Sequence, residues 1–168
     1  MKYKNGGQVS DSVGLLISIL VRFPEVGTIN LEQNDQLLKF TFLLSDAKVE
    51  FSKYHQCLAD SITLFNELEG RTCRVCNLCF HEDEGIVTLE LRRDVETVTQ
   101  NEIKLVIDLL RQQFGEALVT DQGEEIPEEE LQMQDEIIKH MLENIKRSNV
   151  DKNVIAVRED GRVLVFNK

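Results

Sequence analysis

Between Val154 and Phe166 an Asp160-Gly161 pair sits between two apolar runs, and this pattern commits the chain to a β-hairpin. Both loop residues tolerate the positive φ that a two-residue hairpin loop requires. Closing the loop with Glu159 opposite Arg162 sets Val157 against Leu164 and Ile155 against Phe166 on one face, with Ala156 against Val165 on the other. Both faces are therefore apolar. A two-stranded ribbon is marginal in water by itself, so this one must join a larger sheet, lie under the helix before it, or bury itself against a second copy of the protein.

The preceding chain supplies the candidates. Ser10 or Asp11 can cap a helix over Val13 to Phe23 that is apolar nearly all round and stops at Pro24, which predicts burial on most sides. Gly27 to Glu32 and Leu37 to Leu44 read as strands around the turn Gln33 to Gln36. In the second, Leu38, Phe40, Phe42 and Leu44 alternate with Lys39 and Thr41, the pattern of a sheet covered on one side. A helix is expected from Asp46 to about Glu69, ended by Gly70, and strands over Thr72 to Phe80 and Ile86 to Arg93. Thr99 stands three residues before Glu102, a capping box ahead of a helix closed by Gly115, and Ala117 to Thr120 reads as a short last strand.

From Leu37 to Thr120 the order is β-α-β-β-α-β, so the expected fold class is α+β: a two-layer ferredoxin-like (βαββαβ) sandwich with an extra N-terminal helix and strand. That sandwich would occupy residues 1–121. Residues 122–168 would form an arm of acidic linker, helix and β-hairpin, packed on the same domain or on a partner subunit. Pro127 suits the first position of the arm's helix, and Leu131, Ile138, Met141, Leu142 and Ile145 form a narrow stripe along it, suited to one flat contact. The stripe, together with Ile155, Val157, Leu164 and Phe166 of the hairpin, is the expected interface of a homodimer.

Charge narrows the function. The 168 residues carry 30 acids against 19 bases, a net charge of −11, which repels phosphate backbones and argues against a nucleic-acid partner. Eight of the acids, Asp121, Glu124, Glu125, Glu128, Glu129, Glu130, Asp135 and Glu136, run without an intervening base. They could meet a basic protein; the plainer reading is a solvated loop and helix start that complements the helix dipole. Val13 to Phe23 is too short to span a bilayer and no small-residue cleavage site follows it, so no membrane role and a cytoplasmic location are expected.

Two constellations could carry chemistry. Cys73, Cys76 and Cys79 with His81 are the one cluster of metal-ligand composition. In a strand, residues three apart face opposite sides about 10 Å from each other, so Cys73, Cys79 and His81 make the best version of a metal site, and small buried hydrophobes are the simpler role for the thiols. Arg92 and Arg93, at a strand end ahead of the helix start at Thr99, could hold a small anion, against the plainer reading of a solvated strand end with local ion pairs. Glu136 and His140 lie four apart on a helix, where an exposed pair is the common case. None of His55, His81 and His140 has a nucleophile at motif spacing, and no phosphate-binding glycine loop occurs. The sequence thus predicts a non-catalytic cytosolic interaction or accessory protein without a cofactor, self-associating through its C-terminal helix and hairpin. An anion sensor using Arg92, Arg93 and Thr99, and a metal-binding protein using the cysteines, are the alternatives.

Overall fold

The computed structural model describes residues 10–45, 51–121, 125–150 and 152–167. In chain order the elements are α1 (Asp11–Arg22), β1 (Thr28–Glu32), β2 (Leu37–Ser45), α2 (Phe51–Leu68), β3 (Cys76–Asp83), β4 (Ile86–Asp94), α3 (Gln100–Phe114), α4 (Glu128–Ser148), β5 (Val154–Glu159) and β6 (Arg162–Asn167). The strands form one six-stranded sheet in the order β3-β4-β2-β1-β5-β6, antiparallel throughout. The fold class is α+β.

Alternation decides which face is covered. Leu38, Phe40, Phe42 and Leu44 of β2 are buried together with Ile29 and Leu31 of β1 and Val87, Leu89 and Leu91 of β4. The register sets these side chains side by side. α1 lies on this face over β1 and β5, and α2 over β3; Ile103 and Val106 of α3 meet Phe40, Phe42 and Leu91. α4 packs chiefly on α1 rather than on the sheet. α1 is thus held between sheet and α4, which is why a helix apolar on nearly every side is stable here. Its N-terminus is capped by Ser10, whose hydroxyl accepts from the Val13 N–H at 3.3 Å.

The hairpin closes as its Asp-Gly loop demands, with positive φ at Asp160 (50°) and Gly161 (74°), and in the register Glu159↔Arg162, Val157↔Leu164, Ala156↔Val165, Ile155↔Phe166. It joins the sheet through β5, which pairs with β1. Val154 and Ala156 are buried on the helix side.

Several elements differ from expectation. The expected helix start at Asp46 lies outside the described residues. Residues 72–75 are not strand: Asp94 Oδ1 accepts from the N–H groups of Arg74 (3.2 Å) and Val75 (2.9 Å) and bends the chain there, so β3 begins at Cys76. Ala117 to Thr120 is reduced to the end of a 3-10 turn and a single bridge, Leu44↔Leu118. β1 already takes the flank of β2 from Leu37 to Thr41, leaving only the end of β2 for another strand. Pro127 is the N-cap of α4, not its first helical residue.

Candidate functional site

The opposite face of the sheet has no helix over it among the described residues. Two cross-strand rows define it: Asn77, Arg92, Lys39, Asn30, Ile155, Phe166, and Cys79, Glu90, Thr41, Thr28, Val157, Leu164. Reading each row from β3 to β6, the surface passes from polar and charged to apolar. Ile155, Val157 and Leu164 are only half-buried and Phe166 is 51% exposed. One side of the ribbon is therefore covered by α1, and the other is open to solvent. In the middle of the face, Asn30 is 4% exposed and its Oδ1 has no hydrogen-bond partner. β6 is also an edge of the sheet.

The helical stripe expected at the interface is used differently. Ile138, Leu142 and Ile145 are buried and Met141 partly so, with α4 resting on α1 of the same chain. Arg22 locks this packing with an ion pair to Asp135 at 2.8 Å, and Gln100 donates to the same carboxylate at 2.6 Å. Leu131 lies half-exposed and lines a cavity of about 770 Å³ with Ile126 and Pro127. Of the expected interface residues, only the hairpin's four remain together on an uncovered surface.

The expected anion cradle is not assembled. Arg92 and Arg93 are consecutive in β4 and so point to opposite faces. Arg92 lies on the open face, 3.7 Å from Glu90. Arg93 lies in the core with 0% of its side chain exposed. Its Nε and Nη2 grip Glu102 at 2.7 and 2.8 Å, Nη1 reaches Asp94 at 2.5 Å and the Val75 carbonyl at 2.7 Å, and Nη2 donates to the Thr97 hydroxyl at 3.1 Å. All five donors of the guanidinium are thereby used, and none is left for a ligand. Burial pulls the Arg93 pKa down, but the hydrogen bond to Glu102 and that carboxylate's charge outweigh it and hold the guanidinium protonated. Burial likewise works to raise the Asp94 pKa, yet the Val75 N–H, Thr97 and Arg93 keep it below the usual carboxylate range. Asn66, fully buried on α2, donates to Glu102 at 2.7 Å and ties that helix into the network.

Thr99 acts as the N-cap of α3, its hydroxyl accepting from the Glu102 N–H at 3.2 Å. It also lines a cavity of about 380 Å³ with Arg71, Lys139 and Lys146, but Glu69, Asp135, Glu136 and Glu143 share the wall, and acids outnumber bases. Lys146 is spent on the Val98 carbonyl at 2.7 Å, and burial lowers its pKa.

The cysteines do not converge either. Cys73 precedes β3, Cys76 faces the helix side beside Arg93, and Cys79 and His81 face the open side. The proposed trio Cys73, Cys79 and His81 therefore does not share a strand face. No group of three or more His, Cys, Asp or Glu side chains suited to a metal ion occurs among the described residues. The four thiols are free, with Cys73 and Cys76 half-buried. Burial pushes the Cys76 thiol up to about 11 and raises that of Cys73, which disfavours the thiolate at both. Glu136 and His140 are both exposed on α4.

Sequence reasoning missed Arg158. From β5 its Nη2 donates to the carbonyls of Leu20 and, at 3.3 Å, Phe23, while Nη1 pairs with Asp121 at 3.3 Å. A cation is thus fixed at the C-terminus of α1, where the helix dipole favours it, and ribbon, helix and linker meet at one side chain. Comparison of the chain with protein-family models, curated proteins and solved structures finds no match.

Proposed function

We propose that this chain is a non-catalytic interaction module of the cytosol that self-associates through the open face and edge of its C-terminal ribbon. The observation that carries this reading is the placement of Ile155, Val157, Leu164 and Phe166 on one contiguous, uncovered patch at the end of the sheet. Full burial of such a side chain from water contributes about 1.5–3 kcal/mol; Ile155, Val157 and Leu164, already half-buried, would gain a fraction of that and Phe166 the most. The charges on the open face are mixed and stand mostly away from the apolar patch. Lys39, Arg92 and Arg162 stand on it with Glu32, Asp83, Glu90 and Glu159, whereas the exposed acids Glu128, Glu129, Glu130 and Glu136 sit on α4, beyond α1. Those acids leave a place for a basic partner that would not compete for the ribbon.

In this reading β2-α2-β3-β4-α3 is a ferredoxin-like core whose final strand has shrunk to the Leu44↔Leu118 bridge, with β1 in its place beside β2. The anion-sensor reading has less support, because Arg93 is saturated and the cavity at Thr99 is not basic. The metal-binding reading lacks convergent ligands among the described residues.

Light-scattering mass of the whole chain tests the proposal. The wild type is expected at twice 19.3 kDa, and Leu164→Lys at the single-chain mass with an unchanged circular dichroism spectrum. A wild type that stays at the single-chain mass when concentrated would overturn it.

A further inference from the structure

The ribbon's edge narrows how a second copy fits. Resting on the self-association reading, we infer that two copies pair antiparallel along β6, with Leu164 facing the partner's Leu164, so that one sheet runs through both molecules. Three observations lead to this arrangement.

The first is the direction of the backbone groups. A two-residue loop with positive φ at Asp160 and Gly161 makes Glu159↔Arg162 the closing hydrogen-bonded pair. Bonded and non-bonded positions then alternate along the ribbon. Arg162, Leu164 and Phe166 bond back to β5, and the N–H and C=O groups of Val163, Val165 and Asn167 point outward from the sheet.

The second is that the edge is lightly blocked: its one charge, Arg162, stands at the loop end, and Val163 to Phe166 are uncharged. Within Arg162–Asn167 there is no proline, no glycine and no acid, in a chain of net charge −11. Proteins that keep a sheet edge free of partners blunt it with proline or with charges along the strand, and neither occurs between Val163 and Phe166. The opposite edge, β3, ends in Glu82-Asp83.

The third is side-chain complementarity, which is best in one register. Centred on Leu164, a two-fold pairing sets Val163 against the partner's Val165 as bonded pairs. It also sets Arg162 against the partner's Phe166 twice, a guanidinium beside an aromatic ring. Centring on Val163 puts Leu164 against the partner's Arg162, and centring on Val165 puts Val163 against the partner's Asn167. Centring on Val165 does pair Leu164 with the partner's Phe166, but it takes Arg162 away from the aromatic ring; only the Leu164-centred register gives both the ring contact and an all-valine bonded pair. The favoured register also makes Val157 and Leu164 of the two copies one continuous apolar row on the open face, and keeps both sets of helices on the same side.

Cross-linking tests the register. Cβ atoms directly opposite in a non-bonded antiparallel pair lie about 4.5–5.5 Å apart. Leu164→Cys is therefore expected to give a disulfide-linked dimer under mild copper-phenanthroline oxidation. Val157→Cys, about 14 Å from its counterpart at three strand spacings, and the wild type with its native cysteines should remain single chains on a non-reducing gel. Val165→Pro deletes an outward N–H without removing a bond to β5, and is expected to shift the mass to one chain. If the wild type is a dimer but Leu164→Cys does not cross-link, the edge pairing is wrong while self-association stands. If the wild type is a monomer, both fail.

Discussion

The Arg93 guanidinium reaches two carboxylates, a carbonyl and a hydroxyl from inside the core, so its role is to hold β4, α3 and the bend before β3 together. Removing one member of a buried ion pair leaves the other uncompensated, at a cost of about 3–5 kcal/mol. Arg93→Met is expected to lose that much in urea unfolding, and the double change Arg93→Met, Glu102→Leu to recover much of it. Asp94 gives a pH signature. Its carboxyl binds a proton less readily folded than unfolded, so its stabilisation is present above the ordinary carboxylate range and lost as pH falls through its depressed native value. Asp94→Asn should therefore cost about 1–3 kcal/mol at neutral pH, and the gap to wild type should close under acid; a gap that persists would contradict the assignment. Arg93 continues the alternation Val87, Leu89, Leu91 onto the covered face, but read from the sequence its charge put it beside Arg92 at a solvated strand end or anion site. Its partners were not legible either. Glu102 reads locally as half of a capping box, and only the packing of α3 against β4 shows that its carboxylate turns inward instead.

Among the elements, the hairpin was read correctly to the residue pair because a two-residue loop fixes register locally. The strand expected at Ala117 to Thr120 was lost to competition: β1 occupies most of that flank of β2, and a local pattern carries no information about a rival from elsewhere in the chain. The α4 stripe was legible as a contact surface but not as to its partner. Because Leu142 is 2% exposed against α1, Leu142→Ala is expected to cost about 2–5 kcal/mol in urea unfolding. Leu131→Ala, at a half-exposed position, should cost far less. Equal losses would show that α4 is not seated as described. Arg158 ties the ribbon to the end of α1, and Arg158→Gln should lower the thermal midpoint by loosening both at once.

For the whole molecule, the arrangement leaves an asymmetric surface. Helices cover one side of the sheet, a run of exposed acids, Glu128 to Glu130, starts α4 beyond them, and the open face turns apolar toward β6. Phe166→Ser, at a position 51% exposed, is expected to change single-chain stability by no more than about 0.5 kcal/mol while weakening association, a separation between folding and binding that light scattering and thermal unfolding can read together. The open ribbon face is where sequence and structure agree on an unmet need: two apolar sides were legible, and the fold covers one. Amide hydrogen exchange along β6 at low and high protein concentration tests directly whether a second copy meets the other. The account predicts that the outward N–H groups of Val163 and Val165 gain protection on concentration, while those of Leu164 and Phe166, already bonded to β5, change little. Fast exchange at Val163 and Val165 under both conditions would contradict it.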